Sequence, residues 1–496
     1  MIFSSGVLFS LSVAYLGLLF LLAHASEKGW FPLRWVRHPA VYTLSLGVFI
    51  SSWGLYGVVQ FAADFGYNFL AFYMGLSGAF LVAPMFLQPI LRLAKTHQLH
   101  SLPDLLAFRF RSQGVGSIAT LAILIGVMPL LTAQMQTMAD LVYLLTGGHS
   151  TRSMGAFFCG VLICFTLLFG TRQRNARGPS HDGLVIAIAV ESLIKLIAML
   201  AVAGYAYFSV LGGESGLSQW LVANPGALQQ MYQPLQGGYW HSLLLLFFFA
   251  AVVMPCMYQM AFTENREPRD LVTASWGVPL YFMLMAIGIP ILLWAGEALQ
   301  LNLPPTYFSL GITLQSDSPW MTLILFVGTL ASSSGILIVT TLALANMLLN
   351  HVLLPIRGLS TGDDLYQRTL RQQRLLIAFI PSAAFLLSWL PALRPDSTEM
   401  SMLSFVATIQ LAPSMLALLF WPRATSAGVI SGLAAGTLTW FITLAVPSFF
   451  MPDFDTSIWL GIDVSNQLGH WQAMGLIATL INIALMLAVS LLSTQS

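Results

Sequence analysis

Apolar runs of about 20 residues recur along almost the whole chain and are separated by short connections. A helix of that length crosses the hydrocarbon core of a bilayer, because it rises about 1.5 Å per residue across about 30 Å. Only 8% of the 496 residues are charged and 57% are hydrophobic, whereas a soluble domain has about 25% charged residues. The sequence therefore predicts an all-α polytopic membrane protein without a sizeable soluble module.

Thirteen spans account for this pattern. They are predicted at approximately residues 4–25, 40–63, 69–93, 115–145, 154–171, 183–211, 240–262, 272–296, 320–355, 375–393, 400–421, 425–449 and 471–493. Seventeen of the twenty Lys and Arg residues fall in connections that follow odd-numbered spans. Positively charged connections stay cytoplasmic, so we expect a bacterial inner-membrane protein with a periplasmic N-terminus and a cytoplasmic C-terminus.

Composition and motifs exclude several classes of function. The net charge of +1 gives no sign of a nucleic-acid partner. Cys159, Cys164 and Cys256 all lie inside apolar runs, a spacing that fits neither a disulfide framework nor a metal cluster. The chain has no HExxH, GxSxG, P-loop or CxxC motif. We therefore expect no enzyme within these residues, and no cofactor apart from a coupled sodium ion or proton.

Residues that interrupt or loosen helices occur at mid-depth in three of the predicted spans. They are the segments 51–54 in the second span, 254–255 in the seventh and 331–335 in the ninth. Interrupted spans in corresponding positions of two halves are typical of a transporter's central site, and the second and seventh lie five spans apart. The alternative is close helix packing, for which Gly and Ser clusters are common.

The segment SLPDLLAFRFRS, Ser101 to Ser112, resembles a cytoplasmic loop of the sodium/solute symporter family. The proline and basic loop between Pro255 and Arg269, the serine run of the ninth span and the thirteen-span topology are also similar to that family. The resemblance implies a LeuT-type fold with an inverted-repeat core. The implied core repeats are approximately 40–211 and 240–421, and the peripheral helices are 4–25, 425–449 and 471–493.

Two further stretches resemble the transporter-like input domain of CbrA-type sensor histidine kinases. They are HPAVYTLSLG from His38 to Gly47 and ESLIKL from Glu191 to Leu196. This resemblance implies a domain that binds and translocates an amino acid, with histidine as the first candidate. It also implies cytoplasmic signalling and kinase modules after Ser496. The alternatives are a stand-alone sodium-coupled permease and a receptor that binds its ligand without transport.

The symporter resemblance implies a sodium site near the bilayer midplane. Its ligands would be main-chain carbonyls of Ile50 and Trp53 and hydroxyls of Thr329, Ser332 and Ser333, or of Ser333 and Ser334 if the register of the ninth span shifts by one residue. The family's proline permease has an aspartate where this chain has Ser52. A sodium ion would therefore lack a charged ligand here, which favours coupling to protons.

Three ionisable residues of the sixth span are candidates for proton coupling. Glu191 and Lys195 are four residues apart and therefore share one helical face. Ionisable groups at membrane depth often mark a pathway or a proton relay, although the pair could instead be structural. Asp182 begins the same span, where it could respond to protons or act as a helix N-cap.

The resemblance also implies a substrate pocket between the second, fourth and seventh spans. Broken helix ends present amides to a carboxylate and carbonyls to an ammonium group, so we expect a small zwitterion such as an amino acid. Each candidate side chain could instead bond to a neighbouring helix. The candidate substrate-binding residues are Ser51, Ser52, Gly54, Tyr56, Gln134, Gln136, Phe247, Pro255 and Tyr258.

Overall fold

The computed structural model describes residues 3–148, 151–172, 182–232, 238–316, 318–357, 365–389, 396–451 and 467–493. Within these ranges every regular element is a helix. In chain order the helices are α1 Ser5–Glu27, α2 Pro39–Phe49, α3 Val58–Phe65, α4 Leu70–Leu81, α5 Leu87–His97, α6 Leu102–Phe110, α7 Gln113–Leu145, α8 Thr151–Arg172, α9 Asp182–Val210, α10 Gly213–Ala223, α11 Pro225–Tyr232, α12 Trp240–Val253, α13 Pro255–Thr263, α14 Asp270–Ala298, α15 Phe308–Gln315, α16 Pro319–Ile356, α17 Leu365–Leu387, α18 Ser397–Phe420, α19 Ser426–Phe450 and α20 Gln467–Leu492.

Eight of the described helices are long and apolar enough to cross a membrane, and two bent pairs raise the number to as many as ten. The other predicted spans also overlap helices: the third overlaps α4 and α5, the fifth overlaps α8 and the tenth overlaps α17. The apolar part of α8 is shorter, Gly155–Phe169. The chain is therefore a multi-span helical membrane protein, and the count of thirteen spans stays a prediction.

The second predicted span is broken where its sequence suggested. Between α2 and the helical turn that begins at Trp53 the chain bends by 74°. Ile50 is extended there, with φ −71° and ψ 91°, and the Ser51 hydroxyl accepts the Trp53 N–H at 3.2 Å. Extended backbone cannot continue the helical hydrogen-bond ladder, so main-chain groups of the break are free to bond elsewhere.

The seventh predicted span is broken between α12 and α13, which meet at 52°. Met254 is extended, with φ −74° and ψ 129°, because the ring of Pro255 disfavours a helical conformation in the preceding residue. Pro255 then starts α13 at a position where its missing N–H costs nothing.

The ninth predicted span is not broken, so the expectation for residues 331–335 is wrong. The helix Pro319–Leu348 runs through the serine cluster without interruption. The Ser332 hydroxyl donates to the Thr329 carbonyl of the same helix at 2.9 Å, which satisfies it without opening the backbone. The departure from regular α-helix comes later, at the π-helical turn Leu349–Leu353.

Helix α9 has a central position in the bundle. It packs against α1, α2, α14 and α16, and its residues Glu191 and Lys195 are buried among them. The second break adjoins the same region, since α13 packs against α16, which also packs against α9. Both breaks therefore face a core that contains the buried charges of α9.

Candidate functional site

Lys195 reaches from α9 to the break of the second span. Its side chain is fully buried, and its Nζ donates to the main-chain carbonyl of Ile50 at 2.9 Å. That carbonyl is available because Ile50 is extended. An ammonium group therefore bonds to one of the two carbonyls that were predicted to hold a sodium ion.

Glu191 lies one turn before Lys195 on α9, but its hydrogen bonds go to other helices. Its Oε1 accepts from the Ser334 hydroxyl of α16 at 2.6 Å and from the Tyr15 hydroxyl of α1 at 3.2 Å. Its Oε2 is buried and has no hydrogen-bond partner. Burying an ionised carboxylate is costly unless it is paired and hydrogen-bonded. The hydroxyls of Ser334 and Tyr15 therefore reduce the cost of burying the Glu191 carboxylate.

The predicted hydroxyl ligands lie on the α16 helix beside these charges. Thr329 Oγ1 donates to the Leu325 carbonyl at 2.8 Å and lies 2.5 Å from the Tyr56 hydroxyl. Ser332 bonds within its own helix, whereas the buried Ser333 hydroxyl has no partner. Ser334 bonds to Glu191. Of the three predicted hydroxyls, two therefore have different hydrogen-bond partners and the third, that of Ser333, has none.

Ser52 and Gln134 join the broken span to α7. The Gln134 Oε1 oxygen accepts from both the Ser52 N–H, at 2.9 Å, and the Ser52 hydroxyl, at 2.7 Å. Its amide nitrogen donates to the Leu130 carbonyl at 3.3 Å. The oxygen of a neutral amide therefore caps the start of the helix that resumes after the break, a position that favours anions.

Aromatic rings fill the space beside this cap. Phe247 of α12 stacks on Trp53 with ring centroids 6.2 Å apart, and both contact Phe72 and Phe405 edge-on. Sequence reasoning placed Phe247 in the pocket and named Trp53 only for its main-chain carbonyl. It missed Phe72 and Phe405, because it assigned the pocket to the second, fourth and seventh spans. A cavity of about 220 Å³ with apolar walls lies elsewhere, between α12, α18 and α20.

The remaining substrate candidates are less closely grouped. The Gly54 carbonyl accepts from the Tyr73 hydroxyl at 3.3 Å. Tyr258, at the end of the first turn after Pro255, is fully buried and its hydroxyl has no partner. Gln136 lies two residues after Gln134, so it points to a different face of α7, and its Oε1 oxygen is also without a partner.

Asp182 lies apart from Glu191 and Lys195. It forms an ion pair with Arg266, which follows α13. Arg37, His38 and Asp270 line the same small cavity. This arrangement groups Asp182 with charged residues of the connections and separates it from the buried pair of α9.

Sequence reasoning missed two sets of residues. Tyr15 is the one tyrosine of the first predicted span, and this could have drawn attention to it. The second set is the pair Asp104–His351, in which His351 Nε2 donates to Asp104 Oδ1 at 2.6 Å. It joins α6, inside the resembling loop, to the end of α16. No sequence signal links these two residues, which are 247 positions apart.

Burial alone would raise the pKa of the Asp104 carboxyl, but hydrogen bonds outweigh it. The donors are His351, the Ser101 hydroxyl and the His100 N–H. Together with the charge of His351, they hold the pKa of Asp104 below its ordinary value. The described residues contain no cluster of three or more His, Cys, Asp or Glu side chains able to hold a metal ion.

The known proteins to which this chain is similar are transporters. No family model matches the chain. An uncharacterized symporter of Bacillus subtilis (strain 168), YhjB, is 23% identical over 445 residues, covering 86% of this chain and 83% of that protein. A Na⁺-coupled sialic acid symporter, solved in a substrate-bound outward-open state, is similar over 98% of both chains with a TM-score of 0.71 and 12% identity.

A second solved structure is Mhp1, a nucleobase-cation-symport-1 family transporter in a closed conformation with bromovinylhydantoin bound. It has a TM-score of 0.51 and 14% identity, covering 92% of this chain and 93% of that one. The chain therefore has the all-helical fold of these symporters, which confirms the predicted fold class. At these identities the solved structures establish the fold alone.

Proposed function

We propose that this chain is a secondary transporter that binds a small zwitterionic solute and carries it across a bacterial inner membrane, coupled to a cation gradient. Its symporter fold supports the transport activity. The substrate class, an amino acid, is inferred from the helix breaks, and histidine is the first candidate because of the resemblance to CbrA-type input domains. A stand-alone permease and a receptor without transport remain the alternative functions.

The bond between Ser52 and Gln134 is the observation that carries this proposal. A side-chain amide oxygen accepts two hydrogen bonds at the start of a broken helix. A substrate carboxylate oxygen could accept the same two bonds with the added attraction of its charge to the helix dipole. We infer that Gln134 acts as a stand-in that a carboxylate displaces.

The neighbouring groups suit a compact ligand. Phe247, Trp53 and Phe405 form an aromatic wall beside Ser52, while Tyr56 and Thr329 bond to each other. A sugar would need partners for several hydroxyl groups, since each unpaired polar group costs affinity. The sialic acid symporter of the same fold binds an acidic sugar, so sialic acid is the competing ligand to test.

Calorimetric binding to the purified chain tests the substrate class. Ser52→Ala should weaken binding of the preferred amino acid by about 10- to 100-fold, because a hydrogen bond to a charged group is worth about 1.5–3 kcal/mol. Gln134→Leu should not weaken binding and should tighten it, since it removes the amide oxygen that the ligand must displace from Ser52. Ser45→Ala is the matched control, because the buried Ser45 hydroxyl bonds within its own helix, to the Tyr42 carbonyl.

The ligand panel includes histidine, other amino acids, histidine amide, glucose and sialic acid. We expect histidine amide, which lacks the carboxylate, to bind poorly to every variant. Binding of sugars without any response to amino acids would reject the pocket assignment. Amino-acid binding without counterflow in proteoliposomes would favour the receptor function.

The similarity of segments 38–47 and 191–196 to sensor kinases supports a second role, as the input domain of a histidine kinase in cis. The gene sequence downstream of the codon for Ser496 tests it directly. Kinase modules encoded there would support the sensor, and their absence would leave a stand-alone permease.

A further inference from the structure

A groove between α12, α18 and α20, the α20 groove, opens on the surface of the helix bundle and has a volume of about 220 Å³. Its floor includes the buried Leu246 and Val406, and its rim includes the exposed Leu245, Leu416 and Leu476. All three helices belong to membrane spans or to a bent pair that forms one. The α20 groove therefore opens toward the hydrocarbon of the bilayer.

The helices of the groove begin at the same side of the membrane. A Cβ on Gly475 would lie 2.9 Å from Val406, and four residues later in each helix the Gln410 amide donates to Thr479 Oγ1 at 3.0 Å. This constant offset shows that α18 and α20 are parallel. α12 lies in the seventh predicted span, and odd-numbered spans cross in the same direction, so we expect it to be parallel to them.

The end of the groove at which the helices begin carries polar and aromatic side chains. They are Tyr239 and Ser242 of α12 and its start, and Trp471 and Gln472 of α20. Tyr and Trp are typical of the level of lipid headgroups, and the Gln472 amide can donate to an ester or phosphate oxygen. Toward the other end the walls are apolar apart from Thr479, whose hydroxyl bonds within α20. A phospholipid has the same order of polar and apolar parts.

The charge near this end distinguishes between headgroups. Glu399 is the only Asp, Glu, Lys or Arg residue in α12, α18 and α20, and it lies one turn before Met402, which lines the groove. An anionic headgroup would find no Lys or Arg on these helices and would be repelled by the Glu399 carboxylate. The ammonium of a zwitterionic headgroup would be attracted to it.

A hydrocarbon chain in the groove would gain mainly from packing. Lipid contains no water to expel, so specific association depends on van der Waals contact, and walls that face an unfilled space lack contact partners. An apolar cavity of about 150 Å³ binds benzene, so the α20 groove can hold a segment of one acyl chain. Trp471 in its wall is only 3% exposed, so lipid outside the groove does not reach this ring.

The groove lies behind the aromatic wall of the candidate site. Phe247 of α12 and Phe405 of α18 meet with ring centroids 5.2 Å apart, and their chain neighbours Leu246 and Val406 line the groove. A chain between α12 and α18 therefore fills the space beside this contact and stabilises it.

We propose that the α20 groove binds one acyl chain of a zwitterionic membrane phospholipid of the phosphatidylethanolamine type, and that the bound lipid stabilises the contact of α12 with α18. The headgroup lies at the end marked by Tyr239 and Gln472. The inference goes beyond the proposed transport function and depends neither on the solute nor on the coupling ion.

Fluorescence quenching by a brominated lipid tests the site. The purified full chain in detergent is titrated with phosphatidylethanolamine that carries bromine on one acyl chain, which quenches nearby tryptophans. The chain has 13 Trp residues, so the difference between the unmodified protein and Trp471→Phe isolates Trp471. We expect this difference to saturate with lipid. Trp276→Phe is the matched control, because Trp276 of α14 is 61% exposed and outside the groove, and the quenching of Trp276 should rise without saturating.

Variants that fill the groove test the location. Ala412 lines the groove, so Ala412→Phe should raise the half-saturating lipid concentration by about tenfold through a steric clash with the chain. Leu476→Phe at the exposed rim should also raise it, and it provides the test if Ala412→Phe does not fold. Leu480→Phe is the control, since Leu480 is exposed on α20 but does not line the groove, and it should bind lipid like the unmodified protein.

Two further measurements test the headgroup and the stabilisation. Brominated phosphatidylglycerol should need a concentration about threefold higher for half-saturation, the effect of one partly exposed ionic contact. Saturating phosphatidylethanolamine should raise the Tm of the unmodified protein, because a ligand that binds only the folded state stabilises it. The same lipid should raise the Tm of Leu476→Phe less.

Quenching of Trp471 that rises in proportion to lipid, as for Trp276, would overturn the proposal, since it would show contact with bulk lipid only. Equal half-saturation by the two headgroups would exclude a zwitterionic occupant. If Trp471 is not quenched, and light scattering shows a dimer that Leu476→Phe disrupts, the groove binds a second copy of the chain and the proposal is wrong.

Discussion

At the scale of single residues, the Asp104–His351 pair should contribute measurably to stability. Both side chains are largely buried, and Gly116 can approach His351 only because it lacks a Cβ. His351→Phe would leave the Asp104 carboxylate buried without its main donor, at a cost of about 1–3 kcal/mol. Thermal unfolding of the purified protein would measure this loss. Asp104→Asn is the control, since an amide can still bond to His351, and it should lose less. Equal Tm values for all three proteins would contradict the prediction.

The same pair predicts a direction for the pH dependence of stability. The pKa of Asp104 is lower in the folded protein than its ordinary value. The contribution of Asp104 to the free energy of unfolding is therefore fully present above the unfolded pKa of about 3.9. This contribution is lost as the pH falls through the lowered pKa of the folded protein. We therefore expect the Tm difference between the unmodified protein and Asp104→Asn to be constant near neutral pH and to shrink in acid. A difference that grows as the pH falls would show that Asp104 is not stabilised as the carboxylate.

At the scale of helices, Gly335 of α16 determines how closely that helix approaches Glu191 of α9. A Cβ added to Gly335 would collide with Glu191 Oε2, so Gly335→Ala should displace the carboxylate from Ser334 and Tyr15. Such overpacking costs about 1–3 kcal/mol, and we expect altered pH dependence of uptake as well. Gly204→Ala on α9 is the matched control, because a Cβ there meets no atom within 4 Å. It should be neutral or stabilise by up to about 1 kcal/mol. Equal effects of the two substitutions would exclude a specific role for Gly335.

The helices also explain what could be predicted from the sequence. The two breaks were predictable because local chemistry produces them: Pro255 forces Met254 out of the helix, and the Ser51 hydroxyl caps the turn that begins at Trp53.

The partner of Lys195 was not predictable, since Ile50 lies 145 positions away and meets it only because α9 packs against α2. Local sequence favoured a pair between Glu191 and Lys195, yet tertiary packing gave each residue partners on other helices. The serine cluster was misjudged because serine side chains bond within an intact helix as readily as they mark a break.

At the scale of the whole molecule, the placement of basic residues predicts the orientation in the membrane. Seventeen of twenty Lys and Arg residues follow odd-numbered predicted spans, and positively charged connections resist translocation. The N-terminus should therefore be periplasmic and Ser496 cytoplasmic. Alkaline phosphatase, which is active only in the periplasm, should be inactive when fused after Ser496. The matched control is a fusion after Gly226, in the connection between the sixth and seventh predicted spans, which should be active. Activity at Ser496 with none at Gly226 would reverse the orientation, and activity at both sites would contradict the odd number of spans on which the charge pattern depends.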